Sequence, residues 1–90
     1  MGKEVVSRAF VFLNCDIGSE NDILKEVKGI SGVFRASQLS GLYDIVADLR
    51  ADSQIDIARI VRKLGLIERL RSSLTMIVSE ENETSGRRPQ

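Results

Sequence analysis

Ninety residues with 13 basic and 13 acidic side chains make at most one small domain with a modest core, and zero net charge leaves no electrostatic footprint for nucleic acid. There is no histidine and a single cysteine, Cys15, which excludes an intrachain disulfide and leaves a soft-metal site without its usual ligands. No apolar run approaches the ~20 residues of a membrane helix, residues 1–4 lack a signal-peptide layout, and a lone thiol fits a reducing compartment, so a cytoplasmic protein is expected.

Residues 8–15 (RAFVFLNC) place Ala9, Val11, Leu13 and Cys15 on one side and Phe10, Phe12 and Asn14 on the other. Both sides are largely apolar, which predicts a strand buried on both faces. Asp16-Ile17-Gly18 breaks it. Ser19 is placed to cap a helix, with Asp22 in a capping-box-like position. Ile23, Leu24, Val27 and Ile30 form that helix's apolar stripe, and Gly29 is a natural stop.

Residues 33–39 (VFRASQL) predict a second strand, with Phe34 and Ala36 on one side. A tight hairpin through Ser40, Gly41 and Leu42 then leads into a third strand. Tyr43, Ile45, Ala47 and Leu49 share one side of it; Asp44, Val46, Asp48 and Arg50 share the other. Asp52 or Ser53 caps a second helix whose stripe is Ile57, Val61 and Leu64, widened by Ala58 and Ile60. Residues 70–79 (LRSSLTMIVS) alternate as a fourth strand. Apolar residues then vanish, and residues 81–90 read as a disordered tail after one domain spanning residues 1–80.

The order strand, helix, strand, strand, helix, strand predicts an α+β, ferredoxin-like βαββαβ sandwich, a four-stranded antiparallel sheet with two helices on one face. The uncovered face carries Phe10 and Phe12, and an apolar face of that size predicts a dimer built by packing two sheets together.

The chemistry available is narrow. Without histidine, Cys15 and the serines lack the usual base. Asp44 and Asp48 are four apart on a strand, about 13 Å by the strand rise, beyond the ~5–10 Å of cooperating carboxyl pairs. An enzyme is therefore not expected, and no cofactor or metal is implied. Phe10, Phe12 and Tyr43 lack the basic neighbours of an RNA-stacking platform. Asp44 remains, directly after the Gly41 turn. Its carboxylate either caps that turn or accepts from a ligand's ammonium group while free backbone N–H groups hold a carboxylate. Amino acids carry both groups. Ser73 and Thr75 offer hydroxyls on the last strand.

Phe12-Leu13-Asn14-Cys15-Asp16, Ile30-Ser31-Gly32-Val33, Ser40-Gly41-Leu42-Tyr43-Asp44-Ile45-Val46 and Leu74-Thr75-Met76-Ile77-Val78, in that order, resemble the effector (RAM) domain of Lrp/AsnC transcription regulators. The resemblance implies a sheet-to-sheet dimer that often assembles further into octamers or decamers. It also implies an amino acid or similar small effector bound between dimers, near Gly41, Leu42, Tyr43 and Asp44, with Thr75 and the adjacent Ser73 as further candidates. The first strand begins almost at Met1, with no room for a helix-turn-helix domain, so the sequence resembles the stand-alone RAM proteins. Such a chain is expected not to bind DNA directly, and to act through homo-oligomers or mixed assembly with full-length regulators. The alternative is a purely structural oligomerisation module without a ligand site. Glu68-Arg69-Leu70 departs from the family, which usually has a glycine before the last strand.

Overall fold

The computed structural model describes residues 6–78; the expected tail and the first five residues lie outside that range. Six elements follow in the predicted order: β1 (Ser7–Cys15), α1 (Glu20–Lys28), β2 (Val33–Gln38), β3 (Ile45–Ala51), α2 (Gln54–Gly65) and β4 (Leu70–Ile77). The strands form one antiparallel sheet in the order β2-β3-β1-β4. The fold is ferredoxin-like, and β1 lies at its centre because it pairs with both β3 and β4.

Alternation along the strands decides which face the helices cover. Ala9, Val11, Leu13 and Cys15 of β1 and Ile45, Ala47 and Leu49 of β3 are buried against Ile23 and Val27 of α1 and Ile57, Ile60 and Leu64 of α2. Each large aliphatic side chain so removed from water contributes about 1.5–3 kcal/mol. Leu24, Ile30 and Val61 pack at the margin of this core, while Ala58 faces water. The other face of the sheet has no helix over it. It carries half-buried Phe10, Phe12 and Val46, with Leu74 and Met76 exposed.

Three local expectations are corrected, and one of two alternatives is decided. Ser19 does not cap α1: its backbone is already in the helical region (φ −99°, ψ 0°), so its hydroxyl makes no cap bond and instead accepts from Arg69 Nη1 at 3.4 Å. Ser53 is extended (φ −147°, ψ 164°) and does cap α2, accepting from the Asp56 N–H. The β2–β3 connection is not a tight hairpin. The strands pair only as far as Gln38 and Ile45, and residues 39–44 form a broader loop closed by the Leu39 N–H donating to the Asp44 carbonyl at 2.8 Å. Finally, a register shift between Val33 and Arg35 breaks the alternation of β2. Ala36 stays in the core, while Phe34 comes out under the Arg50 guanidinium, 3.8 Å from its ring centre.

Gly32 fixes the approach of α2. Its φ is +99°, and a Cβ there would overlap the Ile60 side chain. Its carbonyl accepts from the Arg50 N–H at 3.0 Å, tying the α1–β2 turn to the end of β3.

Candidate functional site

Asp44 is a junction between three segments. Its N–H donates to the Leu13 carbonyl at 2.9 Å, and its own carbonyl accepts from Leu39. Its carboxylate Oδ2 accepts from the Cys15 N–H at 2.8 Å. The last bond has a plain cause. Pairing of β1 with β3 ends at Leu13 and Ile45, so the next inward-pointing amide, that of Cys15, has no strand left to donate to. A buried amide without a partner is costly, and the Asp44 side chain supplies the acceptor. The carboxylate therefore caps the end of β1, not the Gly41 turn.

The other residues of the loop are placed differently. Tyr43 leaves the core side on which strand alternation had put it, because residues 43 and 44 precede β3. Its ring lies against Phe12 of the open face, 5.6 Å between centroids and tilted by 50°. Leu42 is 90% exposed. Gly41 has φ +152° and nothing near its missing Cβ, so backbone conformation alone demands glycine there.

Beside Asp44 the structure forms an open cavity of about 480 Å³, lined by Asn14, Cys15, Ile17, Glu20, Asp44, Arg71 and Ser72. Its volume is in the range of small-molecule sites. The lining combines two carboxylates, one guanidinium, an amide and a hydroxyl, with Ile17 and Cys15 as apolar wall. Asn14 Nδ2 donates to Ser72 Oγ at 3.2 Å across the β1–β4 pair. Burial, reinforced by the negative charges of Asp44, Glu20 and Asp16, pushes the Cys15 thiol above its ordinary pKa of 9.0. A neutral, buried thiol is a poor nucleophile.

Ser73 and Thr75 lie elsewhere. They pair with Leu13 and Val11, whose side chains are in the core, and so point to the helix side of β4. Thr75 lines a separate, mostly apolar groove of about 530 Å³ with Ile57, Val61 and Ile77. Sequence reasoning named Asp44 but not Asn14, Glu20, Arg71 or Ser72. The pairing of β1 with β4 brings Asn14 and Ser72 together, and that register has no local signature. Among the described residues no cluster of histidine, cysteine or carboxylate side chains could hold a metal ion, and no helix is long and apolar enough to cross a membrane.

Comparison of the fold with solved structures is informative where sequence comparison is not. TTHA0845 of Thermus thermophilus superposes with a TM-score of 0.80 at 17% identity, over 84% of this chain and 96% of that one. AsnC of E. coli gives 0.75 at 18% identity, over 83% of this chain and 52% of AsnC. The chain shares the fold of an AsnC portion. The transcriptional regulator NMB0573 of Neisseria meningitidis, solved as an L-methionine complex, gives 0.72 at 15% identity, over 83% of this chain and 51% of the regulator. The chain thus spans about half of the two regulators and nearly all of TTHA0845. The Lrp/AsnC-like topology read from the sequence is the one observed. No family model matches the sequence, and no curated protein does.

Proposed function

We propose that this chain is an effector-binding and oligomerisation module of the Lrp/AsnC kind, taking an amino acid or a similar small zwitterion in the cavity beside Asp44 and serving transcriptional regulation of metabolism. The observation that carries the reading is the distribution of charge around that cavity. Asp44 and Glu20 offer acceptors to an ammonium group, and Arg71 with Asn14 offers donors to a carboxylate. The loop of Gly41, Leu42 and Tyr43 lies over the same end of the sheet, and Asp44 is held in place by the backbone bonds that fasten it. Ser73 and Thr75 take no direct part within one subunit. The regulator solved with L-methionine supports the ligand class. The open sheet face is covered by a second copy, and higher rings grow from such dimers. On this reading, contact with DNA runs through mixed assembly with a full-length regulator.

Thermal-shift screening with the standard amino acids tests this. A ligand at about 100 times its Kd adds ~2.7 kcal/mol, a rise of roughly 10 °C or more for a domain this size. Arg71 is exposed, so Arg71→Ala leaves the fold intact and removes the shift. If no amino acid raises the melting temperature, or if Arg71→Ala responds like the parent, the site is wrong. One observation favours a second reading, a structural module without a ligand. The Asp44 carboxylate already serves the Cys15 amide and needs no ligand to explain it. On that reading Asp44→Ala loses stability and no amino acid shifts any variant.

A further inference from the structure

The cavity beside Asp44 carries more negative than positive charge, and the excess bears on which amino acid it takes. Two carboxylates, Asp44 and Glu20, share its lining with one guanidinium, that of Arg71. Exposed Asp16 adds a third carboxylate beside Cys15. Among the described residues, none of Asp16, Glu20, Asp44 and Arg71 is held in an ion pair. Arg69, just before β4, is engaged elsewhere, with Ser19 at 3.4 Å and Asp22 at 3.9 Å. The Cys15 thiol registers the same excess. Burial and then Asp44, Glu20 and Asp16 all push it up, and no cation among the described residues pulls it down.

Hydrogen bonding leaves each lining carboxylate half free. Asp44 Oδ2 accepts from the Cys15 N–H at 2.8 Å, and Glu20 Oε1 accepts from the Gly18 N–H at 3.1 Å. Asp44 Oδ1 and Glu20 Oε2 keep their acceptor capacity. A simple zwitterion has one ammonium and one carboxylate. Its carboxylate matches Arg71 and its ammonium matches one acidic side chain, which leaves the other acidic side chain without a counter-charge. A ligand with a second ammonium answers both.

Resting on the amino-acid site proposed above, we propose that its ligands are α-amino acids with a cationic side chain, and that Glu20 is the residue that selects them. Arg71 holds the α-carboxylate, Asp44 the α-ammonium and Glu20 the side-chain ammonium. Asp44 suits the fixed end of the ligand because its carboxylate is tied to Cys15 and its backbone to Leu13 and Leu39. Glu20 suits the variable end. Its longer side chain is partly exposed and tied only to the neighbouring turn, so it can follow side chains of different length. An acidic side chain would meet a like charge there and be refused. The pair formed by Glu20 sits in an open cleft, between an exposed ion pair and a sheltered charge-assisted hydrogen bond, and favours the cationic ligand by about tenfold.

The test is calorimetric titration of the full chain with L-lysine, L-norleucine, which lacks the terminal ammonium, and L-glutamate. Lysine should bind about tenfold more tightly than norleucine, glutamate should bind more weakly than either, and the lysine preference should shrink as salt rises. Glu20→Gln keeps an oxygen for the Gly18 N–H and removes the charge. It should bring the ratio of lysine to norleucine affinity toward one, whereas a merely structural role for Glu20 would lower both affinities and keep their ratio. The inference is overturned if the parent binds lysine and norleucine equally, or if Glu20→Gln keeps the parent's ratio; in both cases the amino-acid site itself stands. A parent that binds no amino acid overturns the site and its selectivity together, a result distinct from the other two.

Discussion

Replacing Asp44 by alanine separates the structural duty of this residue from any ligand duty. The change removes one bond, that from the partly buried Cys15 N–H to Oδ2 at 2.8 Å, and keeps the two backbone bonds of residue 44. A bond to a charged acceptor contributes about 1.5–3 kcal/mol, and leaving the amide without a partner puts the cost at the upper part of that range. For a domain of this size each kcal/mol moves the melting temperature by ~4–8 °C, so a fall of roughly 8–24 °C is expected. Asp44→Asn keeps an acceptor at the same place and loses the charge, and should cost less than half as much. Urea denaturation at fixed protein concentration, followed by circular dichroism, reads both values. The slope m should stay constant, since the exposed surface does not change. An Asp44→Ala chain within ~0.5 kcal/mol of the parent would mean that the Cys15 amide finds another partner and that the junction described above does not hold the loop.

Other substitutions test neighbouring parts of the reasoning. Gly32→Ala should cost several kcal/mol, because a left-handed φ of +99° and overlap with Ile60 act together; a denaturation midpoint near the parent's would contradict the packing of α2. Arg69 has φ 74°, an unfavourable conformation for a side chain, and its contacts with Ser19 at 3.4 Å and Asp22 at 3.9 Å are exposed or partly so. Arg69→Gly should therefore raise stability by about 0.5 kcal/mol while Arg69→Ala should not, and the ranking of the two midpoints decides. Cys15 should resist alkylation in the native chain and react promptly once unfolded. Its raised thiol pKa also means that the unfolded chain releases that proton first, so stability should hold below pH 9.0 and decline as the pH climbs from there through the folded pKa. A Cys15→Ala chain should lack that alkaline decline.

The sheet and its order were legible because strand alternation and helical stripes are strong, local and mutually consistent signals. Ala9, Val11, Leu13 and Cys15 form one face by period two, and Ile57, Val61 and Leu64, widened by Ile60, one stripe by period 3.6. What was not legible depended on backbone detail or on distant pairing. Ser19 and Ser53 look alike in sequence; only the extended backbone of Ser53 aims its hydroxyl at the helix amides. Phe34 left the side predicted for it because of a bulge that VFRASQ does not announce. Asn14 and Ser72 meet because β1 and β4 pair, 58 residues apart. The glycine missing before the last strand was a more direct clue. The resemblance called for glycine near position 69, and Arg69 adopts the left-handed conformation that glycine would take without strain.

The two halves of the functional proposal are coupled by where aliphatic surface is left in water. Ile17 lines the cavity and is 90% exposed, and Leu42, two residues before Asp44, is equally exposed. Covering each would contribute about 1.5–3 kcal/mol, and a zwitterion held by charged groups does not cover them. A neighbouring subunit can. If a copy closes over Ile17 and Leu42, effector binding and assembly share one free energy, and each must strengthen the other by the same factor. Leu42→Ser should then weaken amino-acid binding and higher assembly together while leaving the sheet-to-sheet dimer untouched, since Leu42 lies in the loop and not on the strands. Calorimetric titration paired with native mass spectrometry measures both. An effector affinity that does not change with protein concentration, or a Leu42→Ser chain that loses assembly but binds as before, would uncouple the two and leave the cavity a site complete within one subunit.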